Sequence, residues 1–289
     1  MEGPLPLNRL SAPLHRANAV LRARSRIHYV KEFPGPLSVK SVTEGNVSWK
    51  CSGRDRVVDR DSFLVLNAGE PYSMEIDSRT PVSTLCVFFE DGFVESLYGS
   101  LTARYLDDGS APSLFLGGLH LRDQRILPRM HAIADSGTAD RLWLDQQFLL
   151  LARDLLQLDS EMRRRASAMP ASRPATRAEL LRRVQRGQEY LHAHACSDPG
   201  LAEIARNACL SPYHFHRAFT RAFGQTPHQY RNRLRLGRAR RMLESGDLTV
   251  TEICGAVGFQ SVASFSLLFR RAFGVPPSAM RSPRIRKMR

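Results

Sequence analysis

Between residues 27 and 90 the apolar positions come in short bursts that alternate with polar ones. LSVKSV (37–42), NVSWK (46–50), SFLVLN (62–67), YSMEI (72–76) and STLCVFF (83–89) are rich in β-branched and aromatic residues. Turn formers separate them: PG at 34–35, EGN at 44–46, SGRD at 52–55 and NAGEP at 67–71. That rhythm predicts a small β-sandwich or barrel. Past EDG at 90–92 the period lengthens to that of helices, in FVESLYGSLTARYLDD, in LRDQRILPRMHAIAD and above all in residues 141–166. There Leu142, Leu144, Phe148, Leu151, Leu155 and Leu158 form a broad apolar stripe. A stripe of that length exceeds what a small strand domain covers alone, so it suits pairing of two copies as well as docking within one chain. MPASRPAT (169–176), with two prolines among small residues, reads as a linker. After it the pattern is helical throughout: Arg177–Ala195 first, then a short helix to Asn207 with Asp198 as N-cap and Pro199 at its first position.

The predicted organisation is therefore α+β. A flexible arm (1–26) precedes a β-rich domain with C-terminal helices (27–168), the linker, and an all-α domain (177–289). The arm holds arginines and prolines but no apolar core, so it does not read as a secretory signal. No stretch approaches the length of apolar residues that a membrane span needs, and no membrane partner is expected.

Charge sharpens this division. Residues 1–170 hold 21 Lys or Arg against 21 Asp or Glu, whereas residues 171–289 hold 21 against 7, so the whole net charge of +14 falls in the last domain. All but one of those cations are arginines, whose planar fork suits phosphate oxygens and guanine edges. A polyanion, double-stranded DNA first, is the partner such an asymmetry implies. The five cysteines are odd in number and scattered without a CxxC pair, which fits a reducing cytoplasm.

The helical domain repeats itself. FTRAFGQTPHQYR (219–231) and FRRAFGVPPSAMR (269–281) are identical at seven of thirteen positions, fifty residues apart. Each closes a larger unit, about 199–224 and 249–274. A short helix is followed by a turn of small residues (Ala208-Cys209-Leu210; Val257-Gly258-Phe259), one residue longer in the second copy. A second helix then carries Phe215, Phe219 and Phe223, or Phe265, Phe269 and Phe273. Aromatics at i, i+4 and i+8 share one helix face and form its buried stripe. Gly224 and Gly274 stand where a left-handed C-terminal residue belongs, with prolines just after. This is the grammar of a helix-turn-helix.

The opposite face is then free for contacts. In the first unit it offers Tyr213, His216 and Arg217 to base edges, with Thr220 and Arg221 toward the backbone. In the second it offers Val262, Ala263, Ser266 and Leu267, poor in base-reading groups, then Arg270 and Arg271 for phosphates. Between the units HQYRNRLRLGRARRMLES (228–245) reads as one helix of roughly 27 Å at 1.5 Å per residue. Such a spacer suits two recognition helices entering major grooves ~34 Å apart. Arg235 and Arg238 on it are expected at phosphates.

Residues 180–281 resemble the DNA-binding domain of the AraC/XylS family of bacterial transcription regulators. The likeness lies in the spacing of the two units, the Val257-Gly258-Phe259 turn, the Phe265-Ser266…Phe269 helix and the closing Gly-x-x-Pro-x-x-Met-Arg. The resemblance implies two helix-turn-helix subdomains joined by a long helix, with base contacts from Tyr213, His216 and Arg217 and from Val262, Ala263, Ser266 and Leu267. Leu267 stands where similar proteins have Arg or another polar residue, and Met280 where they have an aromatic, so the first unit is expected to carry most specificity. The family layout also implies a cupin-like barrel before the DNA-binding domain, followed by helices that dimerise, and for an activator a contact with RNA polymerase.

In the N-terminal half a cupin metal site would need a His-x-His pair, yet no histidine occurs between His28 and His120. In HAHAC (192–196) His192 and Cys196 share a helix face without a third ligand nearby, so neither metal nor cofactor is expected. A barrel binding a small-molecule effector would be lined by Trp49, Phe63, Leu66, Tyr72 and Phe88. Residues 1–170 hold no reactive-cysteine motif, metal triad or nucleophile elbow, which argues against an enzyme with a DNA-targeting tail and names no catalytic residue. A redox-sensing DNA-binding regulator using Cys51 or Cys86 is the alternative.

Overall fold

The computed structural model describes residues 11–102, 117–121, 123–135 and 140–280. The chain divides into two compact units, Met1–Arg164 and Arg165–Arg289. The repeated phrase's closing Arg281 and the first ten residues of the expected arm lie outside the described residues.

The first unit opens with α1 (Ser11–Arg16) and β1 (Ala19–Pro34), where the sequence reading placed an arm as far as residue 26. The reason is an alternation masked by arginines. Ala19 and Leu21 pack on one side of the strand and Val20 on the other, while Arg22, Arg24 and Arg26 are exposed, Arg22 paired with Asp135 and Arg24 with Glu44. Five strands follow: β2 (Ser38–Glu44), β3 (Asn46–Cys51), β4 (Arg54–Asp59), β5 (Ser62–Leu66) and β6 (Pro71–Phe88). Then come α2 (Phe93–Thr102), β7 (Gly118–Leu121), α3 (Ile126–Asp135) and α4 (Arg141–Ser167).

All strand pairs are antiparallel, in the order β4-β3-β6-β2-β5-β7, with β1 running along β6. The eighteen-residue β6 closes the sheet on itself into a near-closed barrel. Its first part pairs with β3, from Tyr72 opposite Cys51 to Glu75 opposite Ser48, and its last part with β2, Ser83 to Phe88. Register shifts between Ser25 and Ile27 and between Val30 and Phe33 let β1 follow the bend.

Strand alternation separates two cores. Trp49, Leu64, Leu66, Tyr72 and Phe88 fill the inside of the barrel. Val39, Phe63, Val65, Leu85 and Val87 face outward, where Ile126 and Met130 of α3 and Phe148, Leu151, Leu155 and Leu158 of α4 cover them. Two expectations change here. Phe63 is one residue out of phase with Leu64 and Leu66, so it packs beneath the helices and not in the barrel lining. The apolar stripe of α4 is consumed within the unit: of its six residues only Leu142 is widely exposed, at 76%. The sheet's outer face is larger than the strand bursts implied, and it needs a helix of that length.

The second unit is helical. α4 persists to Ser167 and α5 (Pro174–Ala193) starts at a proline in its first turn, so the connection is 168–173, shorter than expected. Then follow α6 (Leu201–Asn207), α7 (Pro212–Phe223), α8 (Pro227–Ser245), α9 (Val250–Ala256), α10 (Val262–Phe273) and the short α11 (Pro277–Met280). Asp198 is not the N-cap of α6; Gly200 is, and the Asp198 carboxylate turns to Arg231 of α8. Close packing of α5 on α7 depends on Gly187, where a Cβ would lie 2.3 Å from the Phe215 ring.

Candidate nucleic-acid interface

Each helix pair is fixed by its own backbone turn. In α6–α7 the Leu210 N–H donates to the Ala205 carbonyl at 2.9 Å, and in α9–α10 the Phe259 N–H donates to the Cys254 carbonyl, also at 2.9 Å. Both turns need a left-handed residue one place earlier. The second uses Gly258 (φ 88°); the first uses Cys209 (φ 52°), at a cost on the order of 1 kcal/mol. Ser211 and Ser261 cap the following helices by accepting from the N–H groups of His214 and Ser264. Phe215 and Phe219, like Phe265 and Phe269, are fully buried. Gly224 (φ 66°) and Gly274 (φ 80°) end the helices. The doubled phrase is thus a doubled frame.

On the outer face of α7, Tyr213 is 64% exposed, and His216 and Arg217 are exposed beside it. Arg217 Nη1 donates to the Tyr213 hydroxyl at 3.1 Å, with its guanidinium 5.5 Å from the ring centroid. One helical turn apart, the two side chains hold each other extended from the surface. Thr220 is half-buried and its hydroxyl donates to the His216 carbonyl, while Arg221 Nε donates to the Ala168 carbonyl at 2.7 Å. On α10, Val262, Ala263 and Leu267 are exposed, Leu267 at 54%, and Ser266 is half-buried. Arg270 and Arg271 are exposed in its last turn. The structure therefore brings a polar, hydrogen-bonding cluster together on α7 and a mostly apolar one on α10.

The arginines of α8 divide differently from the sequence reading. Arg235 is 5% exposed: its Nε donates to the Ala195 carbonyl and its Nη2 to the Ser197 carbonyl, both at 2.7 Å, with Asp198 at 3.7 Å. Its guanidinium also lies 5.6 Å from the Phe259 ring centroid, and a Cβ on Gly258 would stand 3.0 Å from its Nη2. Burial, then the like charge of Arg231, lowers its pKa, and Asp198 opposes the shift. Arg238 donates to the His192 carbonyl at 2.9 Å and to Cys196 Sγ at 3.1 Å. Arg235 is thus unavailable to phosphate, and Arg238 is committed to α5. Positions 231, 235 and 238 lie on one helix face, and that face meets the end of α5. Arg233 and Arg240 point away and are exposed, Arg240 paired with Glu244 at 2.8 Å. The periodicity of the arginines, read against Leu234 and Leu236, held this distinction.

In the barrel, Trp49, Leu66, Tyr72 and Phe88 lie together inside, each under 5% exposed. Sequence reasoning missed Lys40, which is 0% exposed among them. Its Nζ stands 3.6 Å from the Phe88 ring centroid and 4.7 Å from that of Tyr72, and donates to the Tyr72 hydroxyl at 3.3 Å. The alternation of LSVKSV carried the signal, since Lys40 shares a strand face with Val42. Cys51 is buried with Arg56 against its sulfur, and desolvation pushes the half-buried Cys86 thiol up, which disfavours its thiolate. Among the described residues no group of three or more His, Cys, Asp or Glu is placed to hold a metal ion, and no helix is long and apolar enough to cross a membrane.

Residues 204–282 match the family model of a helix-turn-helix domain. The transcriptional activator NphR of a Rhodococcus species is 30% identical over 295 residues, covering 98% of this chain and 81% of that protein. The transcriptional activator RhaS of Escherichia fergusonii is 39% identical over 95 residues, 33% of this chain and 34% of that one. A crystal structure of a probable AraC family transcriptional regulator from Rhodopseudomonas palustris matches with 27% identity and a TM-score of 0.33, over 34% of this chain and 94% of that one.

Proposed function

The chain belongs to the AraC/XylS family of DNA-binding transcription regulators, and from that premise we propose that it activates transcription from a site read mainly by α7. The observation that carries this reading is the contrast between the two exposed faces. Arg217 and Tyr213 form a pre-set pair with the geometry for a guanine edge, and His216 adds a donor or acceptor beside them. Val262, Ala263 and Leu267 would meet thymine methyl groups, and Arg270 and Arg271 the phosphates. Thr220 and Arg221 border the base-reading cluster on the backbone side. Arg233 on α8 takes the place that Arg235 was expected to fill.

The barrel is the domain through which a small-molecule effector would act, with Trp49, Leu66, Tyr72 and Phe88 lining its interior. As an activator the protein would also touch RNA polymerase, and a homodimer would use surfaces other than the buried stripe of α4. Footprinting of the protein on genomic DNA, with Arg217→Ala in parallel, tests the proposal. A discrete protected site that Arg217→Ala abolishes while Leu267→Ala leaves it is the expected result. Protection that spreads without sequence preference, or that is indifferent to Arg217, contradicts it.

A further inference from the structure

Among the described residues Lys40 is the one fully buried lysine of the barrel and no carboxylate is paired with it: beside it stand the Tyr72 hydroxyl, the faces of Tyr72 and Phe88, and the Cys86 thiol. Taking an ammonium out of water is costly, and aromatic faces offset only part of that cost. The neighbourhood has further unused polarity. On the same face of β2, two residues away, the Ser38 hydroxyl is 1% exposed and has no hydrogen-bond partner among the described residues. In register, Lys40 lies between Cys86 of β6 and Leu64 of β5, and Ser38 lies between Phe88 and Leu66. Two adjacent rungs of the interior thus hold a cation and an unpaired hydroxyl amid apolar side chains. The interior is not sealed at this end, where Ala19, Leu21 and Cys86 are only partly buried. One rung further, Val42 and Thr84 reach a cavity of about 610 Å3 whose wall otherwise comes from the rim and outer face of the sheet, with Arg22, Arg24, Arg60, His131 and Asp135; Arg22 is paired with Asp135 and Arg24 with Glu44. That volume falls in the range of small-molecule sites and lies next to the Lys40 rung.

We propose that the barrel binds a small organic carboxylate, its anionic head held by Lys40 and the Ser38 hydroxyl and its apolar body against the aromatic lining. This rests on the reading of the barrel as the effector domain and names the class of effector. Burial lowers the Lys40 pKa to about 8, so the ammonium persists at neutral pH and the bound carboxylate supplies its counter-charge. The other titratable groups facing it, Tyr72 and Cys86, are both shifted upward by burial and stay uncharged there.

The test uses the full chain with Cε-labelled lysine, titrated with hexanoate and benzoate and with their uncharged amides, hexanamide and benzamide. Carboxylate should shift the Lys40 resonance and raise its pKa, with at least tenfold preference over the matching amide. Lys40→Met should erase that preference. The variant should fold, and be more stable than the parent below pH 8. The desolvation of Lys40 weakens the native state there and is relieved as pH rises from about 8 toward 10.5. No response of Lys40 to either carboxylate, or equal binding of acid and amide, overturns the proposal, as does a preference that survives in Lys40→Met. Operator binding measured alongside separates the two readings. Carboxylate bound at Lys40 without any change in DNA binding or transcription upholds this site and removes effector control. Control by an uncharged compound that leaves Lys40 undisturbed does the reverse.

Discussion

Phe215 and Phe219 of α7 and Phe265 and Phe269 of α10 occupy matching places, behind matching serine caps and ahead of matching left-handed glycines. The faces turned away from those rings differ in kind. α7 shows Tyr213, His216 and Arg217; α10 shows Val262, Ala263 and Leu267. The buried side of a helix must satisfy packing, so a duplicated unit can change its exposed side without loss of the fold. The two units share one scaffold while the chemistry of their exposed surfaces differs.

The contrast can be broken from the inside or from the outside. From the inside the largest effect should come from Arg235→Ala. Arg235 bonds the Ala195–Ser197 segment beside the first unit and packs near Phe259 and Gly258 of the second. Its loss strands two carbonyls and should cost about 2–4 kcal/mol of stability, weakening both units together in chemical denaturation followed by hydrogen exchange. From the outside, Arg217→Ala should cost about 1–3 kcal/mol of specific binding at one guanine-containing step, against under about 0.5 kcal/mol for Leu267→Ala, measured by anisotropy at fixed salt. Ser211→Ala and Ser261→Ala examine the shared frame. Each should lower stability by about 1 kcal/mol, and a gap between them much larger than that would show that the caps are not equivalent. The smallest effect belongs to Arg270→Ala and Arg271→Ala, each reducing the slope of log K against log salt by about one where it meets a phosphate, equally for all sequences.

Much of this was legible in the sequence because period and charge are local. The Phe spacing, the glycine stops, the strand bursts and the +14 domain needed no neighbours to interpret. What escaped depends on partners distant in the chain. Arg235 looks like its neighbours on α8 until the Ala195 and Ser197 carbonyls are placed beside it. β1 was concealed because its outer face is arginine-rich, and only its pairing along the whole of β6 makes it a strand. Phe63 was misplaced by one residue of strand phase, and the α4 stripe by the unknown area of the sheet it covers. Lys40 was overlooked because a lysine in a strand burst ordinarily marks the wet face.

Unequal reading of DNA by α7 and α10 is the central proposal. The measurement that tests it most directly is the full base-preference profile of the protein, obtained by selection from a randomised duplex library. The parent is compared with one variant lacking Tyr213, His216 and Arg217 and another lacking Val262 and Leu267, all replaced by alanine. The prediction is that the first variant loses discrimination over one half of the site, while the second keeps nearly the parent profile. A profile flattened mainly by the loss of Val262 and Leu267, with the first variant unchanged, would contradict it.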